Sequence, residues 1–186
     1  MISREMIISY LTEYSAIEEI FRTYYEQDGK VNSFYDMEKK YAFFMKEGSR
    51  FLQRKKELDF ETDKNIFINK HIRFSPGEFH DHEFIEMCYI YRGKVDQFLR
   101  SKEGKAEKKE TLNQGNLLII PPGMQHKVNI YDDSMMINIV VNKYTFEKTF
   151  LGDIPQQSLL HQFFSEVLFS QESNAYVVFQ VEMMKY

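Results

Sequence analysis

Apolar residues recur every three or four positions at the start of the chain, alternate with polar residues in the middle, and return to the longer spacing near the end. The N-terminal part contains two stripes with this longer spacing, one made of Ile7, Leu11, Tyr14, Ile17, Phe21 and Tyr24 and the other of Phe34, Met37, Tyr41, Phe44 and Phe51. Such spacing is typical of one face of an α-helix. The Asp28-Gly29 pair predicts a helix end between the stripes. We therefore predict a helical N-terminal extension over residues 1–62.

The middle part, residues 63–142, has the short period of β-strands. Residues 66–74 alternate in the manner of a strand, and Leu117 to Ile120 form a short apolar run that ends at a Pro-Pro-Gly turn. Polar clusters at 102–105 and 132–134 predict further turns. Short strands separated by turns indicate a β-sandwich or barrel, and we predict that this region is the barrel core.

Helical spacing returns in residues 143–186. The stripe consists of Leu160, Phe163, Phe164, Val167 and Leu168. The run from Ala175 to Val181 is rich in β-branched and aromatic residues, which favour a strand. The sequence therefore predicts C-terminal helices and a closing strand.

Composition narrows the class of protein. Hydrophobic residues make up 43% of the chain, which indicates a globular protein. The net charge of −4 gives no basic face for nucleic acid. The lone cysteine, Cys88, rules out a disulfide within the chain and fits a reducing compartment. Since the sequence also shows no signal peptide and no apolar run long enough to span a bilayer, we predict a cytoplasmic protein without a membrane partner.

Three histidines and a glutamate stand out in two segments of the middle part. His80, His82 and Glu86 are all even-numbered. Side chains on a strand alternate between its faces, so these three share a face if residues 80–91 form one strand. His126 and Val128 share a face of the strand that follows the Pro-Pro-Gly turn. We predict a ligand-binding set inside the barrel: His80, His82, Phe84, Glu86, Cys88, His126 and Val128.

The polar members of this set also form a candidate metal site. Three imidazoles and one carboxylate suit a divalent ion such as Zn, Ni, Mn or Fe, so the predicted ligands are His80, His82, Glu86 and His126. The alternative is a metal-free core in which the histidines are hydrogen-bonded and Glu86 accepts from a neighbouring imidazole. His71 and His161 are interpreted as surface or packing residues, and Cys88 as a small buried hydrophobe.

The two segments together resemble the two signature motifs of the cupin superfamily. The first is His80-x-His82-x₃-Glu86-x₆-Gly93, and the second runs from Gly115 through Pro121 and Gly123 to His126. More narrowly, residues 79–97 (FHDHEFIEMCYIYRGKVDQ) and 111–128 (TLNQGNLLIIPPGMQHKV) resemble the N-terminal sensor domain of AraC-type transcription regulators. The fold that this resemblance implies is mainly β with flanking helices: a cupin double-stranded β-helix barrel with an N-terminal helical extension and C-terminal helices.

The resemblance also implies a function. We expect an effector-sensing and dimerisation domain of an AraC-type regulator, which is not an enzyme. Its partners would be a small-molecule effector and a second copy of the chain, packed through the C-terminal stripe. DNA would be bound only through a C-terminal helix-turn-helix domain that is absent from this chain.

Two other functions stay open. One is a stand-alone metal-dependent cupin enzyme, an isomerase or dioxygenase. Phe74 and Ile130 weigh against it, because metal cupins usually have glycine and asparagine at these motif positions. The other is a dimerising module without a ligand, whose barrel is filled by its own side chains.

Overall fold

A computed structural model of the chain describes residues 3–29, 66–100, 107–169 and 175–180. Its helices are α1 (Arg4–Thr12), α2 (Ala16–Asp28), α3 (Lys143–Phe146), which continues into a π-helical turn (Glu147–Leu151), and α4 (Leu159–Phe169). Its strands are β1 (Ile66–Lys70), β2 (Ile85–Arg92), β3 (Lys94–Arg100), β4 (Glu107–Asn113), β5 (Leu117–Ile120), β6 (Gln125–Asn129), β7 (Met135–Val141) and β8 (Val177–Phe179).

The first helical stripe forms two helices, whereas the sequence predicted one. Ser15 starts α2 as its N-cap: its Oγ accepts from Glu18 N at 3.3 Å, and the Glu18 carboxylate accepts from Ser15 N at 2.8 Å. This capping box satisfies the free N–H groups at a helix start and so divides the stripe between α1 and α2. The second predicted stripe, residues 34–51, lies outside the described residues.

The strands form two antiparallel sheets that enclose a core. One sheet has the order β1-β7-β2-β5-β8 and the other β4-β3-β6. Consecutive strands repeatedly change sheet, as β2 and β3 do, so each sheet contributes one wall of the barrel. The interior contains apolar side chains from both sheets: Cys88, Ile90, Val95, Leu99, Leu112, Leu118, Ile120, Met124, Val128, Ile130 and Met136. The predicted fold class, mainly β with a barrel core and flanking helices, is confirmed.

The outer face of the five-stranded sheet is covered by the C-terminal helices. Met87 and Val141 of the sheet are in one apolar cluster with Phe146 and Phe164 of the helices. The alternating apolar residues on both faces of β2 are thus explained by a core on one side and helices on the other. The side chains of residues 167 and 168 in the predicted stripe lie outside the described residues.

The N-terminal helices are joined to the barrel by a buried ion cluster. Glu18 accepts hydrogen bonds from Arg73 Nε at 2.9 Å, from Arg73 N at 3.1 Å and from Lys70 Nζ at 2.8 Å. Glu18 and Arg73 are fully buried, so the helices and the end of β1 form one packed unit. No helix in the described part of the chain is both long and apolar enough to cross a bilayer.

Candidate metal centre

His80 and His82 do not lie on β2, because that strand begins only at Ile85. The prediction of one strand from residue 80 is therefore wrong. His80 is held instead by an isolated antiparallel bridge to β6: His80 N donates to His126 O at 3.1 Å, and His126 N donates to His80 O at 2.9 Å. This bridge places two of the predicted ligands side by side, with ring centroids 4.3 Å apart.

The Pro-Pro-Gly turn fixes the backbone of His82. Gly123 N donates to His82 O at 2.8 Å. Gly123 has a φ of 77°, in the left-handed region that glycine enters without steric cost. The turn between β5 and β6 is therefore hydrogen-bonded to the segment before β2, and this bond holds the His82 backbone in place.

The four predicted metal ligands come together at this end of the barrel. One ligand atom each from His80, Glu86 and His126 lie within 4.8 Å of one another. Glu86 Oε2 lies 3.1 Å from His82 Nε2 and 3.4 Å from His126 Nε2. Glu86 and His126 are each 1% exposed, so these two side chains are shielded from bulk water, whereas His80 is only partly buried.

Backbone carbonyls determine the tautomers of two of the imidazoles. His80 Nδ1 lies 3.0 Å from Glu78 O, and His82 Nδ1 lies 2.8 Å from Phe84 O. A carbonyl oxygen can only accept, so each Nδ1 carries the proton in the neutral ring and each Nε2 has a lone pair. Metal-binding histidines are usually held in this way by a hydrogen bond from the second ring nitrogen.

Phe84 supports the His82 ring from one face. The two ring centroids are 4.0 Å apart and the planes are nearly parallel, at 7°. Phe84 is buried. It lies just before β2 and stacks on His82, whereas the sequence predicted an inward position within a strand. Its place in the predicted ligand-binding set stays a prediction.

The residues present fit a divalent metal ion. A carboxylate buried among imidazoles is costly unless a cation compensates its charge. His82 Nε2 lies 3.1 Å from Glu86 Oε2, and both atoms are ordinary ligands of Zn, Ni, Mn and Fe. A divalent cofactor is thus compatible with this donor set.

Of the other predicted ligand-binding residues, Cys88 and Val128 line the barrel interior. Sequence reasoning missed three polar residues nearby. His71, interpreted as a surface or packing residue, has its Nδ1 3.5 Å from Asn138 Nδ2. Asn138 and Gln97 are buried at inward positions of β7 and β3. Their alternation with apolar neighbours, such as Val95 and Leu99 around Gln97, could have revealed them.

No protein-family model matches the chain, and no curated protein matches it. Among solved structures, the chain is similar to Bacillus subtilis oxalate decarboxylase, an enzyme with Mn(II) centres. The identity is 19% over 53% of this chain, and the TM-score is 0.36. It spans only 28% of the length of that enzyme. It is also similar to hydroxypropylphosphonic acid epoxidase from S. wedmorenis in complex with fosfomycin, with 16% identity, 41% of this chain, 42% of that chain and a TM-score of 0.33.

One expectation needs correction. The expectation that the chain is not an enzyme is not supported by these comparisons, because both solved structures are those of enzymes, a decarboxylase and an epoxidase. At these identities the likeness concerns the fold, and the substrates of the two enzymes are not transferred to this chain.

Proposed function

We propose that the chain is a metal-dependent cupin enzyme that acts on a small molecule, with His80, His82, Glu86 and His126 as the metal ligands. The observation that carries the proposal is the convergence of these side chains. Ligand atoms of three of them lie within 4.8 Å of one another, and His82 lies against the same carboxylate. They come from two opposite sheets and the loop before β2, so they meet only because the barrel closes.

The chain's own residues have distinct tasks in this proposal. The imidazoles and Glu86 hold the ion, and the carbonyls of Glu78 and Phe84 orient two of the imidazoles. Buried apolar side chains on the strands next to Glu86, Ile120 and Val140, exclude water and so strengthen electrostatic interactions at the site. A bound divalent ion supplies Lewis-acid polarisation of a substrate oxygen.

The proposed reaction classes are those named from the sequence, an isomerase or a dioxygenase. The metal that the site prefers distinguishes them, because zinc has no redox chemistry and a dioxygenase needs a metal that does. Affinity for Fe²⁺ with uptake of dioxygen would favour the second class.

A second candidate is a sensory role for the same barrel, in an AraC-type regulator. The resemblance of residues 79–97 and 111–128 supports it, and so does the exposed apolar surface of α4. Leu159 is 84% exposed, and Leu160 and Phe163 are also exposed. Such a helix face suits a contact between two copies of the chain.

Metal titration tests the proposed site. We expect Mn²⁺ to bind and, at a free concentration about a hundred times its Kd, to raise the free energy of unfolding by about 2.7 kcal/mol. The gain should disappear in Glu86→Ala and His126→Ala and persist in His71→Ala, a matched histidine outside the cluster. Unchanged Mn²⁺ affinity in His126→Ala would contradict the proposal.

Turnover separates the enzyme from the sensor. Product formation by the metal-loaded chain that stops on addition of a chelator is the expected result. A small molecule that stabilises the metal-loaded protein without being converted would favour the sensory role instead.

Self-association is tested at α4. Phe164 is unsuitable for substitution because it is buried against the chain's own sheet, so the exposed Phe163 is the better position. We expect a homodimer in sedimentation, and Phe163→Asp should raise its dissociation constant at least about tenfold. A wild-type monomer at high micromolar concentration would contradict the dimer.

A further inference from the structure

A buried polar layer lies inside the barrel, one inward position deeper than the metal ligands. In the five-stranded sheet, Glu86 pairs with Val140, whereas Asn138 pairs with Cys88. Asn138 is 1% exposed. Because a strand advances about 3.3 Å per residue, this layer lies about 6.6 Å below the level of Glu86.

The opposite sheet contributes to the same layer. His126 pairs with Leu99, and Gln97 lies two residues further along β3. Gln97 is 0% exposed. Its Nε2 lies 3.5 Å from Cys88 Sγ and 3.9 Å from Met136 Sδ, both on the five-stranded sheet. The two sheets therefore meet at this depth through a side-chain amide.

The orientation of these amides leaves acceptors without donors. A thioether sulfur has no proton and only accepts, so the amide nitrogen of Gln97 faces Met136. Gln97 Oε1 and Asn138 Oδ1 are buried and have no hydrogen-bond partner among the described residues. Asn69 Oδ1, on the neighbouring β1, is in the same condition. Native proteins rarely leave such atoms unsatisfied, because each loses its hydrogen bonds to water.

We propose that Gln97 and Asn138, the carboxamide layer, recognise a hydrogen-bond donor on a small molecule whose anionic oxygen binds at the metal centre. The substrate class is then a short-chain hydroxy acid: its carboxylate meets the divalent ion and its hydroxyl donates to the carboxamide oxygens. This inference rests on the proposed metal site. A site built to bond a hydroxyl strongly rejects an analogue that lacks it, because its buried polar atoms then stay unsatisfied.

Matched acids test the carboxamide layer. The full chain is loaded with Mn²⁺ and titrated in a calorimeter with two pairs, 3-hydroxypropionate against propionate and 4-hydroxybutyrate against butyrate. We expect at least one hydroxy acid to bind about tenfold or more tightly than its partner. Gln97→Met and Asn138→Leu should lose this preference while keeping Mn²⁺ binding. Gln125→Met, which changes the same residue type at a position outside the buried core, should retain it.

The outcomes distinguish this inference from the metal site on which it rests. Absence of Mn²⁺ binding overturns both. Normal Mn²⁺ binding with equal affinities within both pairs overturns the carboxamide layer alone and assigns its oxygens to ordered water.

A measurement on the wild-type chain covers the case in which the variants do not fold. In the zinc-loaded protein, the side-chain amide NMR signals of Gln97 and Asn138 should shift with the preferred hydroxy acid and not with its plain counterpart. Signals that respond equally to both acids would overturn the proposal.

Discussion

Two glutamates are buried to the same degree in this chain, yet they have different neighbours. Glu18 is 0% exposed and Glu86 is 1% exposed. Glu18 contacts the cationic side chains of Arg73 and Lys70 at 2.9 and 2.8 Å. Glu86 lies among imidazoles, 3.1 Å from His82. Imidazoles are neutral or charged depending on pH, and they are metal ligands when neutral.

The comparison shows that Glu18 forms a structural ion pair within the chain, whereas the surroundings of Glu86 suit an external cation. Burial by itself raises the pKa of Glu18, but the hydrogen bonds from Arg73 and Lys70 outweigh it and hold the pKa at about 2. The chain thus supplies the whole compensation for that charge. Around Glu86, neutral imidazoles cannot neutralise the carboxylate, and a bound divalent ion would complete the charge balance there.

The largest effect is expected from removing the structural carboxylate. Glu18→Ala leaves Arg73 buried without its charge partner, and loss of one member of a buried pair costs roughly 3–5 kcal/mol. Urea unfolding of the metal-free protein measures this cost. The control is Glu19→Ala, an exposed carboxylate in the same helix turn, which should cost less than about 1 kcal/mol. Similar losses in both variants would mean that the ion cluster does not hold the N-terminal helices.

Acid should remove part of the same stabilisation. The pKa of Glu18 is lower in the folded chain, about 2, than its ordinary value of 4.5, so its contribution is fully present above that ordinary value. The contribution is lost as pH falls through this interval, and its full size is on the order of 3 kcal/mol.

Unfolding of the chain with a chelator present, from about pH 5 to about pH 2, measures this loss without the metal centre. Glu18→Gln should show a shallower decline of stability across the interval. An identical decline in both proteins would contradict the assigned pKa.

The smallest effect is expected from changing Phe84, which stacks on His82 of the proposed metal site. Phe84→Leu keeps an apolar side chain but removes the parallel stacking on His82, which is worth roughly 0.5–1.5 kcal/mol. We expect Mn²⁺ affinity to fall by several-fold and the fold to be retained. Phe98→Leu, on the outer side of β3, should leave the affinity unchanged. A full loss of binding in Phe84→Leu would instead show that the ring is essential for forming the site.

The fold was largely predictable from periodicity, and the parts that were not depend on distant contacts. The change from helical to alternating spacing located the barrel. The break between α1 and α2 was missed because the stripe continues through Ser15, although Ser15 with Glu18 is a readable capping box. The link from Glu18 to Arg73 joins residues far apart in the sequence, and no local pattern reveals which cation a carboxylate will meet.

At the site, the residues predicted as metal ligands lie close together, but not for the predicted reason, and their role as ligands stays a prediction. Strand parity placed His80 and His82 on β2, whereas β2 begins at Ile85. His80 is positioned by its pairing with His126, a contact between segments that alternation within one strand cannot specify. The same parity argument places Gln97 and Asn138 inward, but the sequence prediction did not include them because neither carboxamide is a usual metal ligand.

The bridge between His80 and His126 also has a consequence for the order of folding and metal binding. Its two hydrogen bonds join segments distant in sequence, so they form only after the loop between them has closed, which is a late and entropically costly step of folding. Before that step His126 is distant from the other three proposed ligands. A metal ion at the proposed site would therefore bind a barrel that has already closed, and we expect it to slow the unfolding of this chain more than it speeds its folding.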